Sequence, residues 1–307
     1  MKRKHAYLIM AHNDFEVLSE ILKELDHERN DIYVHVDAKT GIYPKEILKE
    51  SIVHGRIYFI PRTEVNWGGF SQIRCELNLM KQAILNGPYD YYHLSTGAIV
   101  PIKNQEEILS FFDEHKGYEF IGYDNKNEFG YRASLYNLFN EIGKPNTKSK
   151  MAKAYIRNKF KGLQKRLHYR YPASKGIEFK KGFVYWSLTE DAIKYILDRE
   201  NWIEKVFKHS LCGDELFAQT LLFYSPFKEH IYDINDEYES CLRYVKPVQS
   251  WQPNFGASMD VTCMAENVIC TEDIPKMVES NKLFGLKFVS EKGIEAIKEL
   301  RKIKKGE

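Results

Sequence analysis

The sequence predicts an α/β protein built on a mixed, mostly parallel sheet with helices on both faces. Short segments that are apolar on both faces alternate with segments of helical periodicity through the first third of the chain. Such strands are typical of parallel sheets that helices cover on both sides. The 307 residues, 43% of them hydrophobic and 14% aromatic, are ample for a large core.

The elements of the first third are identified from the spacing of their apolar residues. Residues 6–11 form an unbroken apolar run, as a strand buried on both faces requires, whereas residues 14–25 repeat apolar side chains at helical spacing. The predicted strands are 6–11, 31–36, 57–60, 91–94 and 119–122, and the predicted helices are 14–25, 70–85 and 105–112.

Polar side chains cluster where three of these strands end. His12 and Asn13 follow the first strand, Asp37 follows the second, and Ser95-Thr96-Gly97 follows the strand at 91–94. In open α/β sheets ligands bind at the carboxyl ends of the strands. We therefore expect a binding site at this edge.

The rest of the chain is polar at first and then resumes the pattern. Residues 124–181 are polar, basic and aromatic, with a loop predicted at 143–146. The predicted elements after them are a strand at 183–188, helices at 190–197 and from Glu215 onward, and an amphipathic helix at 294–303. Because we find no internal repeat or flexible linker, a single domain over residues 1–307 is the economical prediction.

Charge and cysteine content exclude several classes of protein. The formal net charge of +2 argues against a nucleic-acid-binding protein. The five cysteines are scattered and odd in number, which argues against a disulfide framework or a structural zinc site and indicates a reducing compartment. The apolar run that follows the basic residues 2–4 is too short for a signal peptide, and no segment has the length of a membrane span. We expect a soluble protein in the cytoplasm.

The positive charge is concentrated in residues 148–181. This segment holds about a dozen Lys and Arg and a single acid, Glu178. Such a run attracts anionic lipid headgroups or phosphate-bearing substrates, and a solvated helix and loop is the alternative interpretation. The aromatic residues interleaved with these charges are Tyr155, Phe160, Tyr169 and Tyr171.

Two adjacent carboxylates, Asp214 and Glu215, follow Cys212-Gly213 and precede an apolar run of helical spacing. Asp214 is placed to cap the new helix, and Glu215 then lies in its first turn near the positive end of the helix dipole. A carboxylate held on a rigid helix start suits a general base that meets one substrate hydroxyl. An ordinary acidic helix start is the alternative interpretation.

Several nucleotide-binding motifs are missing from the sequence. It has no G-x-G-x-x-G after the first strand and no G-x-x-x-x-G-K-[ST], so neither a dinucleotide fold nor a P-loop is supported. It also has no strict D-x-D, the acid pair by which many nucleotide-sugar enzymes hold a divalent ion. If a diphosphate leaves in this site, Lys or Arg must offset its charge.

A set of short segments follows in a characteristic order and spacing along the chain. They are 6–12, Asp37 in Y-V-H-V-D-A-K, Trp67-Gly68-Gly69 with 76–80, 91–95 with 101–103, 182–189, 213–215, 243–245 and 283–288. Taken together, these segments resemble the core-2/I-branching N-acetylglucosaminyltransferase family, glycosyltransferase family 14, which also includes peptide O-xylosyltransferases. The resemblance runs from Ala6 to about Phe288 and implies a GT-A-like fold and an inverting reaction without a metal or other cofactor.

The resemblance assigns roles to individual residues. Glu215 occupies the position of the general base, and Lys287 matches the lysine that binds the donor diphosphate in place of a metal. The implied donor-binding residues are His12, Asp37, Trp67, Arg243 and Lys287, and the implied acceptor-binding residues are Asp214, Tyr185, Trp186 and Trp251. Residues 1–123 then form the nucleotide-sugar-binding half, 124–181 a basic insertion, and 182–307 the catalytic and acceptor half.

The sequence also departs from the family pattern. The family's diphosphate arginine falls on Met264, so its role is vacant or is taken by Arg243 or Lys282. The usual Asp before a proline is Ile99, and the acceptor tryptophan falls on Pro247, with Trp251 nearby. These departures motivate an alternative function, a carbohydrate- or nucleotide-sugar-binding protein that keeps the fold without catalysis.

The expected function is transfer of a sugar, N-acetylglucosamine or xylose, from a UDP-sugar to a glycan hydroxyl. We expect a bacterial-type soluble member that builds a surface polysaccharide from the cytoplasm. Its acceptor is then a glycan or a lipid-linked saccharide, and residues 148–181 are placed to contact the anionic inner face of the membrane. We expect no nucleic-acid partner.

Overall fold

A computed structural model describes residues 4–124, 129–247 and 267–306. The strands are β1 Lys4–Ala11, β2 Asn30–Val36, β3 Arg56–Phe59, β4 Tyr89–Thr96, β5 Ile99–Pro101, β6 Ser187–Thr189, β7 Arg243–Val245 and β8 Phe284–Leu286. The helices are α1 Phe15–Leu25, α2 Lys45–Glu50, α3 Phe70–Ile84, α4 Gln105–Glu114, α5 Tyr131–Ser134, α6 Lys148–Arg166, α7 Glu190–Leu197, α8 Glu200–Phe207, α9 Phe217–Phe223, α10 Glu237–Cys241, α11 Ile274–Val278 and α12 Ser290–Lys305.

The central sheet has five strands in the order β3-β2-β1-β4-β6. The first four are parallel, and β6 runs antiparallel to β4. Parallel strands must be joined by crossovers, which here contain helices such as α1 and α3. The predicted α/β fold class with a mixed, mostly parallel central sheet is therefore confirmed.

Buried side chains form one apolar layer on each face of this sheet. The layer under α3 includes Leu8, Tyr33 and Leu94, whereas the layer under α1 includes Ile9 and Val34. Neighbouring residues of one strand thus point to opposite layers, as the pleat of a strand requires. Both faces are covered, which explains why the strands are apolar throughout.

A second, three-stranded sheet has the order β5-β8-β7. Strand β5 pairs antiparallel with β8, and β7 pairs parallel with β8. It therefore joins a strand from the first third of the chain to two strands from the last third. Similarly, β6 adds a strand from the later part of the chain to the central sheet.

Three predicted elements differ from the structure. Residues 119–122 form no strand of the central sheet, because only isolated bridges join Glu119 to Ile231 and Phe120 to Ser187. The strand predicted at 183–188 is limited to Ser187–Thr189, although Trp186 O still accepts a bond of 2.9 Å from Leu94 N. The helix predicted to begin at Glu215 begins at Phe217.

Residues 129–181 contain α5, a 3₁₀ turn at Asn140–Ile142 and helix α6. They are bonded to the rest of the fold, since Leu211 N donates to Arg132 O and Asn137 N donates to His209 O, both at 3.0 Å. The predicted loop at 143–146 lies between that turn and α6. Gln164 of α6 exchanges two hydrogen bonds with the backbone of Tyr136, at 2.8 and 2.9 Å. Among the residues that the structure describes, no helix is long and apolar enough to cross a bilayer.

Candidate active site

The ends of β1 and β2 meet at the edge where the sequence places its polar residues. Asp37 N donates to Ala11 O at 2.9 Å, and the hydroxyl of Thr40 donates to His12 O at 2.9 Å. These bonds hold the segments that carry His12 and Asp37 side by side. The predicted convergence of the strand ends is therefore present.

Asp37 is buried and shapes the turn that follows β2. Its Oδ1 accepts the backbone N–H of Lys39 at 2.9 Å and caps a 3₁₀ turn, Ala38–Thr40. Its Oδ2 lies 3.5 Å from the Lys39 ammonium, and its own carbonyl oxygen accepts a bond of 2.7 Å from Arg62. The carboxylate is thus fixed in place beside a cation.

Two lysines from distant parts of the chain lie near His12. Desolvation lowers the pKa of His12, and the charges of Lys144 and Lys287 lower it further, while Asp37 raises it. The pKa of Lys287 is likewise lowered, first by burial and then by the charge of Lys144. Lys144 also lies over the ring of Trp67, 6.0 Å from its centre. The structure thus brings together four predicted donor-binding residues, His12, Asp37, Trp67 and Lys287. It adds a second lysine, Lys144, which the sequence analysis had assigned only to a loop.

The two glycines of the turn at Trp67-Gly68-Gly69 have different structural roles. Gly68 has a φ of 76°, in the left-handed region that glycine adopts most easily. A Cβ on Gly69 would overlap the carboxylate of Glu141 as that side chain is placed here. That carboxylate accepts bonds from Ser71 N at 2.9 Å and Ser71 Oγ at 2.7 Å, so it stabilises the N-terminus of α3. The absent side chain makes room for this anion.

This turn is fastened directly to the segment that carries Glu215. Cys212 N donates to Gly68 O at 2.8 Å. Gln72 of α3 bonds both sides, because its amide oxygen accepts Gly68 N and its Nε2 donates to Asp214 Oδ2 at 2.9 Å. The turn at Trp67-Gly68-Gly69, on the candidate nucleotide side of the site, is therefore held at a fixed distance from the candidate base, Glu215.

Glu215 lies in a 3₁₀ turn, Gly213–Glu215, and not in the first turn of an α-helix. Its Oε2 accepts a bond of 2.6 Å from Arg132 and lies 3.9 Å from the ammonium of Lys181. About a quarter of the Glu215 side chain, 24%, remains exposed. The carboxylate can thus reach a substrate while two cations hold it in a fixed orientation.

Asp214 does not cap a helix, contrary to the sequence prediction, because α9 has no side-chain cap and begins after the turn. Burial raises the pKa of the Asp214 carboxyl to about 7, and the adjacent charge of Glu215 contributes to this rise. Its Oδ1 is buried and has no partner among the residues that the structure describes. Asp214 therefore supports the turn from the interior.

The remaining predicted site residues lie elsewhere. Arg243 is fully buried, and its guanidinium donates to Ser187 Oγ, Cys241 O, Leu94 O and Trp186 O. It joins the two sheets and has no surface from which to reach a donor. Trp186 is also in the core, at 1% exposure, so it cannot meet an acceptor. Trp251 and Met264 lie outside the described residues.

Tyr185 is half-buried and borders the carboxylate turn. Its hydroxyl bonds to Thr96, and burial raises its pKa to about 12. Asp214 contributes to this rise, which places the tyrosine next to the interior side of the turn. Tyr185 is thus near the candidate base.

Sequence analysis missed four residues of this site: Arg132, Lys144, Lys181 and Gln72. The first three belong to the segment that was predicted to be a basic insertion, and only their positive charge distinguished them. Gln72 had no signal in the sequence.

The chain is similar in sequence to two known xylosyltransferases. The chain is 25% identical to xylosyltransferase 2 of Rattus norvegicus over 242 residues, which is 75% of this chain and 26% of that protein. It is 24% identical to xylosyltransferase 1 of Canis lupus familiaris over 143 residues, which is 44% of this chain and 15% of that protein. The chain thus spans at most about a quarter of the length of these relatives.

Among solved structures, mouse xyloside xylosyltransferase 1 in its apo form shares 9% identity with a TM-score of 0.40, over 93% of this chain and 97% of that one. The model of the family described as "Core-2/I-Branching enzyme" matches residues 5–275. That match extends over most of the chain and includes the turn that carries Glu215. The chain therefore belongs to the Core-2/I-branching enzyme family, glycosyltransferase family 14.

Proposed function

We propose that the protein is an inverting, metal-independent glycosyltransferase that uses a UDP-sugar and adds the sugar to a glycan hydroxyl during surface polysaccharide synthesis. The observation that carries this proposal is the attachment of the Glu215 turn to the Trp67-Gly68-Gly69 turn by the Cys212–Gly68 bond of 2.8 Å. A base fixed relative to a nucleotide pocket is what an in-line displacement at a sugar carbon requires.

In this mechanism Glu215 takes the proton of the acceptor hydroxyl while the oxygen of that hydroxyl attacks the anomeric carbon of the donor. The bond from that carbon to the diphosphate breaks on the opposite side, so the configuration inverts and UDP leaves. Arg132 and Lys181 hold the Glu215 carboxylate in position before the reaction. The proton and the leaving group are thus handled on opposite sides of the sugar.

The two lysines near His12 are proposed to stabilise the departing diphosphate. The diphosphate gains negative charge as it departs, and lysines close to it lower the energy of that state. Burial lowers the pKa of Lys287, and Lys144 is near enough for its charge to lower that pKa further. A bound diphosphate would relieve this repulsion. Lys144 is our candidate for the role of the arginine that the family pattern places at Met264.

The uridine is proposed to lie between Asp37 and Trp67. Both residues border the same edge, because Lys39 bonds the Asn66 side chain at 2.9 Å as well as pairing with Asp37. An aromatic ring beside a fixed carboxylate suits a base that stacks and donates an N–H. The donor sugar is N-acetylglucosamine or xylose, and the likeness to two xylosyltransferases makes UDP-xylose the first donor to test.

We also propose that helix α6 contacts an anionic membrane surface, where a lipid-linked acceptor would be found. Met151, Tyr155, Lys159, Leu163 and Leu167 follow at four-residue intervals and form one exposed ridge. The four apolar members are between 51% and 67% exposed. The helix contains eight Lys and Arg and no acid. A helix surface that combines an apolar ridge with surrounding Lys and Arg is more favourably placed at anionic lipid headgroups than in water.

The buried side of α6 agrees with this orientation. Ala154, Arg157 and Gln164 face the protein. Tyr171, which the sequence analysis grouped with the interfacial aromatics, instead bonds Lys205 O at 3.2 Å, so we leave it out of the surface.

The test is a screen of UDP-sugars for hydrolysis and for transfer to a panel of saccharide acceptors. Turnover of UDP-xylose or UDP-N-acetylglucosamine, with inversion at the anomeric carbon, supports the proposal. A rise in melting temperature with UDP but no turnover of any donor would instead support the non-catalytic binding protein.

A further inference from the structure

The interior behind the candidate base contains a carboxylate that the proposed mechanism does not use. Glu76 lies in the middle of α3 at 0% exposure, and both of its carboxyl oxygens lack a hydrogen-bond partner among the described residues. A buried carboxyl group without partners is costly and rare in native proteins. Its presence next to a candidate site requires a physical reason.

Helix α3 aims this residue at the turn that carries Glu215. Gln72 and Glu76 are four residues apart, so they lie on the same face of α3. Gln72 bonds Asp214 at 2.9 Å, and a Cβ on Gly213 would lie 3.1 Å from the side chain of Ile73. The face that includes Glu76 is therefore packed against the turn.

A hydrogen bond between Asp214 and Glu76 would give a partner to buried carboxyl oxygens of both residues. Asp214 Oδ1 is an acceptor without a donor, and the two oxygens of Glu76 have no partner either. If Glu76 carries a proton, its O–H is a donor for Asp214 and neither residue remains unsatisfied. Two ionised carboxylates in this interior would instead repel each other without compensation.

We infer that Glu76 is a protonated, neutral acid that donates a hydrogen bond to Asp214 and thereby positions the turn of Glu215. It acts through Asp214 and does not touch substrate, so it is a positioning residue. Its kinetic consequences depend on the proposed transferase activity, whereas its protonation state does not.

The electrostatic surroundings agree with this assignment. Burial raises the pKa of Glu76 well above its usual range, and the charge of Asp214 raises it further. The other ionisable groups around Glu76 are Tyr185, from the segment before β6, and Cys75 of its own helix. The groups that face Asp214 from elsewhere are Glu215, Arg132, Cys212 and Tyr185. The only cation among them, Arg132, is bonded to Glu215.

The first measurement is carbon-13 NMR of the intact protein labelled at the side-chain carboxyl carbon of glutamate. We expect one carboxyl signal that stays in the protonated position above pH 7 and is missing in Glu76→Gln. Glu119 provides the matched control, since it is also a buried carboxyl whose pKa burial raises to about 7 but whose partner is Thr189. Glu119→Gln should leave the signal of Glu76 in place. If the Glu76 signal instead titrates in the ordinary range of glutamates, the inference is wrong whatever the activity.

The second measurement is the pH dependence of kcat in two variants. Glu76→Gln keeps an N–H donor, so kcat and the acid limb of its pH profile should stay close to wild type. Glu76→Leu removes the donor, and we expect kcat to fall roughly tenfold and the acid limb to move up by about one pH unit, as Asp214 loses a bond to its charged form. The KM for the donor should not change.

Met80→Leu is the control for a change of packing one turn further along α3, where Met80 is equally buried. It should leave the pH profile unaltered. If Glu76→Leu keeps the kcat and pH profile of wild type, Glu76 only fills space and the inference fails. If Glu76→Leu does not fold, the NMR measurement and the kcat of Glu76→Gln test the inference instead. A loss of kcat in Glu76→Gln as large as that of a misfolded enzyme would contradict the inference, because glutamine still provides a neutral donor. Absence of turnover in wild type refutes the proposed function but leaves the NMR result valid.

Discussion

Arg132 donates a hydrogen bond of 2.6 Å to Glu215, although the two residues are 83 positions apart in the sequence. The arginine comes from α5, in the segment that looked like a surface insertion, and its guanidinium also lies 4.6 Å from the ring of Phe129. Burial tends to lower the pKa of Arg132, but the charge of Glu215, the neighbouring Cys212 and the hydrogen bond to Glu215 together more than compensate, so the net pKa is raised. The candidate base is therefore part of an ion pair before any substrate binds.

Arg132→Met should lower kcat about tenfold, because it removes a charged hydrogen bond that holds the carboxylate, a contribution of about 1.5–3 kcal/mol. The affinity for UDP should not change. Steady-state kinetics and UDP titration test both statements. Arg74→Met is the control, since Arg74 also lies over a phenylalanine ring, 5.3 Å from that of Phe70. A kcat within twofold of wild type in Arg132→Met would exclude a role for the pair.

Lys287→Ala and Lys144→Ala should each weaken UDP binding, since removing a charged partner of a phosphate costs about 1.5–3 kcal/mol, or roughly 10- to 150-fold in Kd. Isothermal titration with UDP and with uridine separates the diphosphate contribution, because uridine binding should be little affected. Lys148→Ala, an exposed lysine four residues from Lys144, is the control. An unchanged Kd for UDP in Lys144→Ala would remove that lysine from the donor site.

Activity should survive EDTA, because lysines rather than a metal are proposed to offset the charge of the departing diphosphate. The measurement is the initial rate after treatment with EDTA, compared with the rate after adding back Mn²⁺ or Mg²⁺. Rates that depend strictly on either ion would overturn the metal-free mechanism.

The α6 surface should bind vesicles that contain anionic lipid and not neutral vesicles, and the binding should weaken as salt increases. Reversing Lys153, Lys159, Lys165 and Arg166 to Glu should abolish it while sparing activity on a soluble acceptor. Lys161 is left unchanged, because burial lowers its pKa to about 8 and a carboxylate there would disturb the fold. Co-sedimentation measures the bound fraction.

The matched control reverses Lys292, Lys298, Lys302 and Lys305, four exposed lysines of α12. It makes the same change in net charge on a different surface. Equal loss of binding in both variants would show that total charge, and not the α6 surface, determines the interaction.

Local pattern predicted the regular parts of this fold. The strands β1, β2 and β4 and the helices α1 and α7 lie within a few residues of their predicted bounds, because burial on one or both faces imposes a period that the sequence displays. The short extent of β6 and the 3₁₀ turn at Gly213–Glu215 were not predicted, because strand ends and single turns depend on tertiary contacts more than on local pattern.

The position of some candidate site residues could be predicted, but their partners could not. Asp37 lies at a predicted strand end and Glu215 at a predicted turn, and Lys287 was identified through the family resemblance alone, whereas Arg243 has the right charge and is buried between the sheets. The partners that distant segments supply, Arg132 to Glu215 and Lys144 to Lys287, cannot be read from sequence, because no local period relates residues so far apart.

The most direct test of the account is kcat of Glu215→Gln. The substitution keeps the size of the side chain and removes the proton acceptor, so kcat should fall by roughly 10²- to 10⁴-fold with UDP affinity preserved. Asp214→Asn is expected to be milder, since Asp214 supports the turn from the interior. If Glu215→Gln turns over within about threefold of wild type, Glu215 is not the general base and the mechanism proposed here is wrong.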